Sequence, residues 1–125
     1  MASYVFHVRF RLDPKGMRVE PEEFETTLVR EADPPGEEGW LFFRDRLWRG
    51  EIGDERHTRE FVEEALGVRV ERVEFRRFEV TGEELATLEA EIEANLELFR
   101  AEDATEVLHK YFGSSLEVRT KDANG

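Results

Sequence analysis

Residues 68–80 read Val68-Arg69-Val70-Glu71-Arg72-Val73-Glu74-Phe75-Arg76-Arg77-Phe78-Glu79-Val80, with apolar residues in three pairs: Val68 and Val70, Val73 and Phe75, Phe78 and Val80. Each pair has the two-residue period of a strand, and the phase slips between pairs. A long strand carrying bulges or a bend accounts for both slips. On its N-terminal side, Asp54 is placed to cap a helix over 55–66, with Phe61, Val62, Ala65 and Leu66 on its apolar face and Gly67 as its stop. On its C-terminal side, Thr81 and Glu84 form a capping box. The helix that follows carries Leu85, Leu88, Ile92, Leu96 and Phe99 at spacings of three and four.

The rest of the chain extends this pattern. In residues 3–12, Tyr4, Phe6, Val8, Phe10 and Leu12 alternate with Val5, His7, Arg9 and Arg11, which describes a half-buried strand. Asp13-Pro14-Lys15-Gly16 reads as a turn. Residues 19–32 fit a helix through Phe24 and Leu28, but the β-branched Thr26-Thr27 pair favours a strand. Asp33-Pro34-Pro35-Gly36 is a break. Residues 40–49 read either as a strand or bent hairpin, or as a helix with Trp40, Phe43 and Leu47 in a stripe. Gly50 and Gly53 end the element in both cases. Asp103 and Glu106 suggest a second capping box, opening a short helix with Val107, Leu108 and Tyr111 that stops at Gly113. Residues 116–119 fit an edge strand. The expected fold is α+β, a mostly antiparallel sheet of about four strands with two to three helices packed on one face. Residues 1–120 form one domain in this reading, and 121–125 a disordered tail.

Composition narrows function by exclusion. The chain of 125 residues has no cysteine and 3 histidines, which removes thiolate chemistry and limits metal sites. The N-terminus has no apolar leader and no stretch is long enough to span a bilayer, so the expected location is cytoplasmic. Net charge is -12, and the 18 basic residues are 15 arginines and 3 lysines. An acidic, lysine-poor surface suits molar salt, where repulsion is screened within about 3 Å, while arginine richness also follows from a GC-rich genome. The charge is segregated. Residues 20–38 hold eight acids against Arg30, and 82–102 hold seven against Arg100, whereas 3–18 hold four basic residues against Asp13. Acid therefore coats loops and helices, and arginine concentrates on strands.

Several chemistries compete for these residues. Asp54, His57 and Glu60 share a helix face, but acids are expected at a helix N-terminus, and no metal or other cofactor is expected. Ser114 and Ser115 lie near His109, without a visible third group or oxyanion hole, and Gly-Ser-Ser after a helix is commonly a cap. His7 reads as a surface or packing residue. The balance leans against an enzyme. An open sheet face bearing Arg9, Arg11, Arg72, Arg76 and Arg77 resembles a platform for single-stranded RNA. The plain alternative pairs these arginines with Glu71, Glu74 and Glu79.

Gly39-Trp40-Leu41-Phe42-Phe43-Arg44-Asp45-Arg46-Leu47-Trp48-Arg49-Gly50-Glu51 holds both tryptophans and three arginines. Trp and Arg are enriched at binding hot spots. Trp40, Arg44, Arg46, Leu47, Trp48 and Arg49 are the candidate binding residues, with Leu47 and most aromatics expected in the core and Trp48 at least partly exposed. The segment resembles the LWR-salt proteins of haloarchaea, named for the motif that here is Leu47-Trp48-Arg49. Phe24-Glu25-Thr26-Thr27 leading to Pro34-Pro35-Gly36, and residues 106–115, are similar to that family as well. The resemblance implies a cytoplasm rich in potassium salt and no particular activity. The leading expectation is a non-enzymatic interaction module that binds a protein or a second copy of itself. RNA binding and a pocket hidden from the sequence are the alternatives.

Overall fold

Alternation carries Ser3–Arg11 into strand β1, with Tyr4, Phe6 and Val8 buried on one side. The computed structural model describes residues 2–12, 16–21 and 23–119. Most of the turn expected at 13–16, and all of the tail expected at 121–125, lie outside the described residues. Glu23–Glu31 forms strand β2, as its β-branched pair favours. It runs antiparallel to β1 and stacks Phe24 on Phe10 at 5.6 Å.

The ambiguous central stretch is helix and hairpin in series. Phe42–Arg46 makes the single-turn helix α1, and Leu47–Trp48 and Glu51–Ile52 make the two-residue strands β3 and β4. Helix α2 spans Glu55–Leu66, capped by Asp54 at one end and by left-handed Gly67 at the other. Its buried face is Thr58 and Val62. Leu66 packs against the core, while Ala65 is exposed and Phe61 lies at the rim, so the apolar stripe points the expected way but is narrower than the sequence suggests.

Strand β5, Arg69–Thr81, occupies an interior position in the sheet order β2-β1-β5-β6. Its pairing with β1 skips Glu71 and Arg76. These are the two places where the apolar phase slips. Each extra residue returns the strand to phase, so Val70, Val73, Phe75, Phe78 and Val80 are all buried. Strand β6, Leu116–Arg119, joins the far edge and runs parallel to β5.

Helix α3, Gly82–Ala94, opens on the Thr81–Glu84 capping box with both reciprocal bonds formed. It is shorter than the 3.6-residue pattern suggests. The Asn95 amide donates back to the Glu91 carbonyl at 2.9 Å, and a 3-10 turn at Leu96–Leu98 follows. Phe99 still reaches the core. Helix α4, Ala104–Phe112, has half of its expected box: Asp103 accepts from the Glu106 N–H, but the Glu106 carboxylate accepts from Glu102 instead.

The core fills the space between one sheet face and the helices. Phe43 is its hub, stacked on Phe99 at 5.8 Å and on Phe112 at 5.2 Å. Phe112 in turn stacks on Phe78 at 4.7 Å, tying α1 and α4 to the sheet. Burying each such ring stabilises the fold by about 1.5–3 kcal/mol.

Candidate interaction site at the hairpin tip

The Leu-Trp-Arg motif sits on a turn with unusual backbone requirements. Arg49 has φ 54 and Gly50 φ 82, the pair of positive values that a two-residue type I′ hairpin demands. Glycine is obligatory at position 50, since a Cβ there would lie 2.7 Å from the Phe112 carbonyl oxygen. Arginine at 49 is strained by about 1–2 kcal/mol relative to a right-handed conformation. The turn is held by α4. The Arg49 N–H donates to Lys110 O at 2.8 Å, and the Gly50 N–H donates to Tyr111 O at 2.9 Å. Carbonyls in the last turn of a helix have no partner within it, so the hairpin acts as a tertiary cap.

This anchoring sends the three motif side chains to three places. Leu47 enters the core at 2% exposure, while Trp48 projects at 47%. The Arg49 guanidinium lies 5.6 Å from the Trp48 ring centroid. Trp48 meets the Tyr111 ring edge-on at 6.0 Å. Burial pushes the Tyr111 phenol above its usual range, opposed by the nearby Arg44 charge. Lys110 Nζ donates to Phe99 O at 2.8 Å and Arg100 O at 3.3 Å, fixing the left-handed corner at Arg100. Trp48, Arg49, Glu106, His109, Lys110 and Ser114 border an open groove of about 650 Å³. Two basic side chains and an aromatic ring thus gather beside a single acid, in a chain whose net charge is -12.

The sequence-derived set of six divides. Trp48 and Arg49 share the groove, and Arg44 lies beside Tyr111 with its Nε on Asp45 at 3.1 Å. Leu47 is core. Arg46 and Trp40 border a different cleft with Arg30 and Glu37, and Trp40 packs on Phe43 and Phe99. Lys110 and Tyr111 do not stand out in the sequence as site residues. Their only signal is the 106–115 stretch.

The arginines expected to form an RNA platform do gather on the sheet face away from the core, among glutamates. Arg72 and Arg76 flank Glu74 at 3.1 and 3.5 Å, and Arg11 reaches Glu71 at 3.2 Å. Arg77 contacts Glu79 at 2.5 Å and Glu117 at 3.2 Å. Arg9 pairs in register with Glu25 of β2. The Glu25 carboxyl is held below its usual range, first by the hydrogen bond from His7 at 2.5 Å.

At the α2 N-terminus, Asp54 accepts from the His57 backbone, and its other oxygen lies 2.6 Å from His57 Nδ1. The backbone bond is the main reason its pKa is lowered. Among the described residues no three His, Asp or Glu side chains gather as a metal site. Ser114 and His109 both border the groove. Ser115 is engaged through its backbone, donating to Phe112 O and accepting from the Phe78 N–H, each at 2.9 Å. Among the described residues no helix is long and apolar enough to cross a membrane.

No curated protein and no solved structure matches the chain. The family model described as LWR-salt protein matches residues 1–122. The motif on the hairpin tip and this match over nearly the whole length agree: the chain belongs to the LWR-salt protein family.

Proposed function

We propose that the protein is a non-enzymatic interaction module of a salt-rich cytoplasm, which docks a protein partner on the Trp48–Arg49 hairpin and the adjoining end of α4. The observation that carries this reading is the half-exposed Trp48 under Arg49, fixed in place by two backbone hydrogen bonds to α4. A rigid aromatic–arginine pair loses little conformational freedom on binding. Apolar burial and cation–π contact supply the affinity, and both persist where salt screens simple ion pairs. The partner surface is apolar with an acidic margin, complementary to Arg49, Lys110 and the nearby Arg44.

The test is a pull-down in molar KCl with Trp48→Ala and Arg49→Gly. Arg49→Gly removes the guanidinium while suiting the left-handed backbone, so the hairpin is retained. Loss of the same partner protein in both variants is the expected result. A partner retained by both excludes this surface.

RNA on the sheet face is the second reading, supported by the convergence of Arg9, Arg72 and Arg76. Each nearby glutamate competes with phosphate for these guanidiniums, and phosphate affinity falls steeply as salt rises. RNA that copurifies in molar salt and is lost in Arg72→Glu/Arg76→Glu would favour this reading over the first.

A further inference from the structure

Strand β2 ends the sheet, and its outer edge is open. The Ala32 N–H donates to the Ala2 carbonyl at 2.8 Å, one step beyond the Ser3–Glu31 pair. Antiparallel pairs alternate between bonded and non-bonded, so this bond sets the phase of the whole β1–β2 ladder. The even residues of β2, Phe24 to Arg30, turn their N–H and C=O groups toward β1, and the odd residues turn theirs outward. Among the described residues, no backbone group bonds to the outward groups of Glu25, Thr27 or Val29. The outward carbonyl of Glu31 takes a contact from the Arg30 guanidinium at 3.4 Å. Glu25, Thr27 and Val29 are exposed, Val29 at 56%. The helix layer also stops short of this strand. Val8 on β1 is fully buried, whereas Thr26 beside it is exposed and Phe24 and Leu28 are half-buried.

An edge with unmet N–H and C=O groups is a template for another strand. Two copies of β2 can pair antiparallel about a two-fold axis where outward residues face outward residues. Centring on Thr27 keeps all nine residues of the strand paired. Thr27 then faces Thr27 of the second copy, and Glu25 faces Val29. On the inner side Thr26 faces Leu28, so the half-buried strip of Phe24 and Leu28 continues across the axis. The other symmetric registers are worse. Centring on Glu25 sets two carboxylates on the axis, and centring on Val29 sets Glu25 against Asp33, beyond the end of the strand. In the Thr27 register the conflict is confined to the two ends, where Glu23 faces Glu31. Each chain also carries a net charge of -12. Both repulsions reach about 10 Å in 0.1 M salt but only about 3 Å in 1 M salt. A backbone ladder carries no net charge and is not screened in this way.

We propose that β2 pairs with β2 of a second copy about a two-fold axis at Thr27, joining the two four-stranded sheets into one, and that salt closes this contact. None of these residues borders the hairpin groove, and the pairing does not depend on the partner proposed there.

The experiment is sedimentation equilibrium of the full chain in dilute buffer and in molar KCl, with oxidative cross-linking to read the register. Wild type should be monomeric in dilute buffer and dimeric in molar KCl, its dissociation constant falling at least about tenfold. Thr27→Pro removes an outward N–H but no bond to β1, so it should stay monomeric in both. Glu31→Lys makes both end pairs attractive and should dimerise in dilute buffer, whereas Glu97→Lys, with the same change in net charge, should behave as wild type. The chain has no cysteine. In molar KCl with diamide, Thr27→Cys should cross-link to itself, because opposed bonded residues lie about 5.5 Å apart. Val29→Cys should not, since its two copies lie roughly 14 Å apart, but it should cross-link to Glu25→Cys. The cysteine variants test the register even where the proline variant does not fold. A wild type monomeric in molar KCl, or equally associated in dilute buffer, would overturn the proposal. So would a dimer retained by folded Thr27→Pro, a dimer lost in Trp48→Ala, self-linking of Val29→Cys in place of Thr27→Cys, or open polymers in place of a dimer.

Discussion

Arginine concentrates at two places in this molecule, and the two are wired differently. On the open sheet face, Arg11, Arg72, Arg76 and Arg77 each lie against a glutamate within 3.5 Å. At the hairpin tip, Arg49 lies against a tryptophan ring, and its backbone is the part that is bonded. The first arrangement spends its charge inside the protein and weakens as ions screen it. The second keeps a cation and an aromatic surface facing outward on a fixed scaffold. Arginine content alone therefore says little about binding; what each guanidinium touches decides it.

The comparison can be broken most severely beneath the hairpin. Phe112→Ala removes the ring that joins Phe43 to Phe78 and should cost about 3–5 kcal/mol. Denaturant melts should show it as the largest loss. Gly50→Ala forces a side chain toward Phe112 O in a left-handed turn, for about 1–3 kcal/mol. Its signature is loss of hydrogen-exchange protection at the Arg49 amide and at the substituted position before the sheet opens. Arg49→Gly should be more stable than Arg49→Ala by about 1 kcal/mol, because alanine keeps the strain and glycine removes it. Equal stabilities would mean that the turn relaxes out of its positive-φ form.

The sheet face should respond more weakly. Arg77→Gln should cost at most about 1 kcal/mol in dilute buffer and less in molar KCl, whereas the Arg49 pair should change little with salt. Equal salt dependence at both places would erase the distinction. The smallest effect concerns pH. Glu25 is lowered by its bond from His7 and Asp54 by His57, so each contributes stability that is full above the ordinary carboxylate pKa. That contribution is lost as pH falls through the lowered folded value. His7→Gln should flatten the acid limb of a Tm-against-pH profile slightly, by lowering the plateau near neutrality while leaving the acid end unchanged.

Much of this architecture was legible because local chemistry and global packing agree. The double slip in residues 68–80 is two bulges, at Glu71 and Arg76, and the Thr81–Glu84 box is a real helix start. The β-branched pair in β2 also pointed the right way. Residues 40–52 resisted reading because their backbone answers to distant partners. Nothing near Trp48 announces that Arg49 will adopt a glycine-like conformation, since the acceptors that hold it there are carbonyls of Lys110 and Tyr111. The candidate site was half visible for the same reason. Trp48 and Arg49 stood out by residue type, whereas Lys110 and Tyr111 join them only through that tertiary cap. Phe112 gave no hint of its place between Phe43 and Phe78.

The tertiary cap also makes the motif depend on the order of synthesis. The hairpin leaves the ribosome well before α4, and its two donors must wait for acceptors roughly sixty residues downstream, a long-range closure of the slow-forming kind. The next lock comes later still, when Ser115 receives the Phe78 N–H and ties the end of α4 to the sheet. A nascent or truncated chain that stops before residue 110 has the Leu-Trp-Arg sequence but not its geometry. The surface at Trp48 is therefore set only once α4 is in place, so its geometry reports on contacts made far along the chain.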